Sequence, residues 1–132
     1  MNSLVEAFER CEIENGAFHH RDHVKMAWSY LREFGFADGA RRFTAAIQRF
    51  AAANGKPNLY HATITWAYLV VINERMQRDA SEWETFAAAN EDLFAWKPSL
   101  IDAWYRPETL ASDYARRVFI FPDRVTVFEK AS

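Results

Sequence analysis

At 132 residues the chain is one domain long, enough to bury roughly two-thirds of its unfolded surface. Half of its residues are hydrophobic and 16% are aromatic, which excludes intrinsic disorder, and a net charge of −2 gives no electrostatic case for nucleic acid. The lone Cys11 excludes an intrachain disulfide and a thiolate zinc cluster.

Helical spacing of apolar residues runs nearly throughout. Leu4, Phe8 and Cys11 share one face of a first helix, with Ser3 as its N-cap and Gly16 as its stop. Met1 to Ile13 holds no basic segment followed by an apolar stretch, so no secretory signal is read there. Val24, Ala27, Trp28, Leu31 and Phe34 mark a second helix, stopped by Gly35. Phe43, Ala46, Ile47 and Phe50 mark a third, opened by Asp38 and closed by Asn54-Gly55 before Pro57. A fourth runs from about Leu59 to Arg78, with Asn58 as its cap. From Ile64 to Ile72 it is apolar on every side, the signature of a central, buried helix. That run is also shorter than the ~20 residues a membrane helix needs. The expectation is a soluble cytoplasmic protein with no membrane or nucleic-acid partner.

Beyond Asp79 the pieces are shorter. Ser81-Glu82-Trp83-Glu84 reads as a capping box for a helix ending at Asn90. Ser99 opens another through Tyr105, and Ser112-Asp113 a last one through Val118. Val118 to Phe121 and Val125 to Phe128 have β character, consistent with a packed tail or at most a small hairpin. The predicted fold is all-α, an up-down bundle of four main helices with short C-terminal helices packed across it. Short links between the second, third and fourth helices favour antiparallel neighbours. The second and fourth would then start at the same end of the molecule.

Those two starts hold all four histidines. His19, His20 and His23 open the second helix, and His61 opens the fourth. On a helix, His19 and His23 are four apart and His20 and His23 three apart, so either pair can share a face. Neutral imidazole is the commonest metal ligand, and the positive end of a helix favours the neutral form. His20, His23 and His61 are therefore the metal-ligand candidates, with Fe, Cu or Zn as the ion. His61, Thr65, Tyr68 and Ile72 form one stripe of the fourth helix. Tyr60, Thr65 and Tyr68 would orient the substrate or the ligands as the catalytic set around the ion. No His-Glu-x-x-His or Glu-x-x-His motif is present, which argues against a zincin or a ferritin-like di-iron site. A structural role stands beside the metal one. The triplet can simply cap its helix, and His61 can be a core histidine bonded to Thr65, Tyr60 or a backbone carbonyl.

The other candidates are weaker. The five tryptophans can line a pocket, but at helical spacing such residues are more often core. Arg116-Arg117 can bind an anion, although an arginine pair on a short helix is more often a solvated face or a carboxylate partner. Cys11 reads as core.

The strings Phe18-His19-His20-Arg21-Asp22-His23-Val24 and Tyr60-His61-Ala62-Thr63-Ile64-Thr65-Trp66 are distinctive. So is Ser112-Asp113-Tyr114-Ala115-Arg116 leading to Phe121-Pro122-Asp123. Together they resemble a small helical family of bacterial proteins of unknown function. The resemblance covers most of the chain and carries over no functional residue. Two functional expectations follow from the residues themselves. One is a small metal-dependent enzyme acting on a small, partly apolar molecule through the histidines. The other is a non-catalytic module that binds a ligand, or a partner protein, through an apolar pocket or face rich in Phe94, Trp96, Trp104 and Tyr105.

Overall fold

A computed structural model describes residues 3–12, 19–56 and 59–124. Among these the chain is all-α, with no strand. The helices are α1 (Ser3–Glu9), α2 (His20–Phe34), α3 (Phe36–Ala53), α4 (Ala62–Arg78), α5 (Trp83–Ala89), α6 (Pro107–Leu110) and α7 (Asp113–Arg117). Single 3-10 turns occupy Glu91–Phe94 and Leu100–Ala103.

The core is built on α2 and α3, each with a sharply apolar face. α2 buries Val24, Ala27, Trp28 and Leu31, and α3 buries Phe43, Ala46, Ile47 and Phe50. α1 closes the far side: the Phe8 ring lies 5.2 Å from Phe50 and 6.2 Å from Phe43. A second aromatic cluster joins α2 to α5, with Trp28 5.5 Å from Trp83. α2 and α3 are linked by Gly35 alone, at φ 81, a left-handed value that favours glycine. α3 therefore starts earlier than the Asp38 predicted. Asp38 instead sits in the first turn and pairs with Arg41 and Arg42.

Four other boundaries differ from the sequence reading. Cys11 lies beyond the end of α1, at φ 57, rather than on its apolar face. The Ser81–Glu84 capping box is not made: Glu82 is the N-cap residue of α5 and its carboxylate takes Arg32 at 2.6 Å instead. α6, headed by Pro107, has no counterpart in the sequence reading. α4 is also less enclosed than its apolar run implies, since Val70 is 49% exposed. Gly16, Asn58 and Val125 to Phe128 lie outside the described residues. No helix is long and apolar enough to cross a membrane, among the described residues.

The C-terminal segment is fastened to α4 by Thr63, which is wholly buried. Its hydroxyl hydrogen is shared between the Ala115 and Val118 carbonyls, at 2.8 and 2.9 Å. Its oxygen accepts the Ile120 N–H at 3.2 Å. Thr63→Val keeps the shape and removes every one of these bonds, leaving buried backbone groups unsatisfied. A loss of about 2 kcal/mol is expected in urea denaturation, with Thr63→Ser retaining most of the stability. A Thr63→Val protein as stable as the parent would refute this role.

Candidate functional site

Both predicted helix starts border one cleft of about 620 Å³. His19, His20 and His23 enter from the start of α2, with Val24 and Ala27 below them. α3 adds Phe43 and Ile47. His61, Ile64, Thr65, Tyr68 and Ile72 come from α4 and its cap, so the stripe read from the helical wheel does face one space. Leu59, Trp96 and Arg116 complete the wall.

The local sequence explains the placement of the triplet. His19 is the N-cap of α2 in extended backbone, and its N–H donates to the Asp22 carboxylate at 2.9 Å. Asp22 thus serves the helix start and is not a lining residue. His20 follows inside the helix. Its Nε2 lies 2.9 Å from the Leu93 carbonyl. A carbonyl only accepts, so Nε2 carries the hydrogen and Nδ1 keeps the lone pair. The ring stacks obliquely on Trp96, centroids 4.6 Å apart, and meets the edge of Tyr68 at 5.1 Å. Burial lowers the His20 pKa, partly opposed by the Leu93 bond.

His61 is the N-cap of α4, three residues later than the predicted cap Asn58. Its Nδ1 accepts the Ile64 N–H at 3.2 Å, the task usually done by Ser, Thr, Asp or Asn. Its Nε2 donates to the Leu110 carbonyl at 2.8 Å. Both ring nitrogens are therefore used, in one neutral tautomer. Burial chiefly lowers its pKa, with nearby Arg116 acting in the same direction. Of the alternatives read from the sequence, the backbone-bonded core histidine describes these contacts. For His61 to join His20 and His23 on an ion, at least one of these two bonds would have to give way, the Ile64 cap if the ion took Nδ1. Among the described residues, no group of three His, Cys, Asp or Glu side chains could hold a metal ion.

Of the three residues expected around the ion, Thr65 and Tyr68 line the cleft and Tyr60 does not. Burial raises the Tyr60 pKa, and the Trp66 side chain is near enough to ease the rise. Tyr68 offers its ring to His20, while its buried hydroxyl makes no well-formed hydrogen bond; the Ser99 side chain and Leu100 backbone are near enough to ease its raised pKa. Of the Arg116-Arg117 pair read as an anion site or a solvated face, Arg116 lines the cleft. Its partner in the sequence pair, Arg117, does bind a carboxylate, that of Asp113 at 2.9 Å. Only the docking of α7 on α4 separates the two arginines, and no local pattern encodes it. Trp96 is the one tryptophan at the cleft, 46% exposed, whereas Trp28 and Trp83 are core.

Burial drives the His23 pKa down to about 4, with the neighbouring His20 adding to it and Asp22 opposing. The unfolded chain then holds a proton that the folded one lacks between pH 4 and the ordinary value of 6.5. Stability therefore rises with pH across this window and is lost as pH falls through it. His20 and His61 are shifted in the same direction and add to the effect. His23 alone accounts for up to about 3 kcal/mol. Urea denaturation at pH 7 and pH 4 checks this, and His23→Gln is expected to flatten the difference. A pH-independent midpoint would contradict it.

Comparison with family models, curated proteins and solved structures finds no match. The chemistry of this cleft is accordingly read from its own walls. They are mainly apolar, and their polar side chains are the four imidazoles, Thr65, Tyr68 and one guanidinium.

Proposed function

We infer that the domain binds a small, partly apolar molecule in the cleft between α2 and α4. The observation that carries this reading is the wall itself: about 620 Å³ of mostly apolar space with a few convergent polar groups. Val24, Ala27, Ile47 and Ile72 would hold the apolar body. Nδ1 of His20, an acceptor by its tautomer, would take a hydrogen bond from the ligand. Saturable, one-to-one fluorescence enhancement of the neutral probe N-phenyl-1-naphthylamine is the expected result. Thr65→Phe should weaken it at least several-fold by narrowing the cleft, without lowering the melting temperature much. Absence of saturable probe binding by the parent would overturn the reading.

A metal-dependent reaction on the same molecule is the second reading, favoured by two neutral imidazoles, His20 and His23, on one wall. An ion there would supply Lewis acidity or activate water. His61 could join only by giving up at least one of its bonds to Ile64 and Leu110. Elemental analysis of tag-free protein after reconstitution with Fe(II), Cu(II) and Zn(II) separates the readings. Stoichiometric metal lost in both His20→Ala and His23→Ala supports catalysis by an ion; substoichiometric metal leaves the binding module.

A further inference from the structure

We propose that the ligand of this cleft is an anion, a small monocarboxylate on an apolar body, with its charge at the Arg116 end. The inference rests on the reading of the cleft as a small-molecule site and names the chemical class that site selects.

Three observations set the sign of the charge. First, Arg116 is a lining residue, and no aspartate or glutamate is, among the described residues. Second, α4 starts at this cleft with no acidic residue in its first turn. Helix starts of this length usually carry Asp or Glu to offset the positive end of the dipole. Here the cap is His61, held neutral because its Nδ1 must accept the Ile64 N–H. The start of α4 thus keeps its positive partial charge. Third, Arg116 stands close enough to His61 to disfavour its protonation, so the cation and the helix end act on the same part of the cleft. A ligand ammonium there would meet a guanidinium and a helix N-terminus, with no carboxylate among the described lining residues to receive it. A ligand carboxylate would find donors in both. Arg116 also has contacts within the protein, and a guanidinium with five N–H groups can keep them while receiving a carboxylate. α2, by contrast, spends its start on Asp22, which places the favoured charge toward α4.

The test is a matched series of equal length: 4-phenylbutyrate, 4-phenylbutan-1-ol and 4-phenylbutan-1-amine. Each is titrated by ligand-observed NMR at pH 7.5 in low salt. The acid is expected to bind roughly tenfold tighter than the alcohol, the increment of a hydrogen bond to a charged group, and the amine most weakly. Raising NaCl should narrow the acid-to-alcohol ratio in the unaltered protein, which needs no variant to fold. Arg116→Gln should bring that ratio close to one, and Arg116→Lys should keep part of it. An alcohol that binds as tightly as the acid overturns the charge assignment and leaves the small-molecule reading standing. An acid preference untouched by Arg116→Gln overturns the assignment to Arg116. Failure of all three probes removes the proposal and weakens the cleft reading together.

Discussion

His61→Ala is expected to cost about 3 kcal/mol and to lower the melting temperature by roughly 10 °C. Two bonds vanish with the ring. The Ile64 N–H loses its cap, a change usually worth about 1 kcal/mol. The Leu110 carbonyl loses its donor in a partly buried setting, which costs about 1–3 kcal/mol. His61→Asn separates the two terms. Asparagine restores a cap but is too short to reach Leu110, so about half the loss should return. Differential scanning calorimetry on both variants, with metal content measured in parallel, is the check. A stable His61→Ala protein that has lost bound metal would reinstate His61 as a ligand. A large loss of stability with unchanged metal content fits the capping role.

Gly39→Ala should be the second severe change, although nothing in the sequence pattern marks it. A Cβ at Gly39 would lie 2.6 Å from the Tyr30 carbonyl oxygen and 3.1 Å from the Leu31 Cα. Alanine brings a helix-propensity gain of about 1 kcal/mol. The overlap opposes it, and its partner is backbone in the middle of α2, which cannot rotate aside as a side-chain tip would. α3 must shift away from α2, disturbing the best-packed seam of the molecule at a cost of about 3 kcal/mol or more. The net expectation is a loss of about 2 kcal/mol in equilibrium unfolding. An alanine variant more stable than the parent would show that the seam yields at no cost.

Most of the fold was legible because α2, α3 and α4 have long apolar periodicities and clear stops. The shared location of the histidines was legible too, from connection length alone. Harder to read was anything decided by one unusual residue. Histidine is an uncommon N-cap, so the start of α4 was assigned to Leu59 rather than Ala62. Thr63 was passed over for Thr65 because its three backbone partners lie more than fifty residues away. The expected metal triad rested on residue type and helix face. It had no means of knowing that both nitrogens of His61 were already engaged. Arg116 illustrates the same limit: its neighbour Arg117 follows the local rule of pairing four residues back, and Arg116 is set apart only by tertiary docking.

The imidazoles of His20 and His61 reach 73 and 49 residues along the chain, to Leu93 and Leu110. This has a consequence for how the protein is made. On the ribosome, α2, α3 and α4 emerge first, and their apolar faces can begin to pack from local contacts. The cleft, however, lacks the Trp96 and Arg116 parts of its wall until those late segments have cleared the exit tunnel and docked. The cleft is then a property of the fully emerged domain, and a nascent or prematurely terminated chain would present the histidines without the Trp96 and Arg116 parts of its wall. On the proposed reading, a C-terminal deletion that stops before Leu110 would remove Arg116 and the acceptor of the His61 bond, and with them the binding of a carboxylate probe.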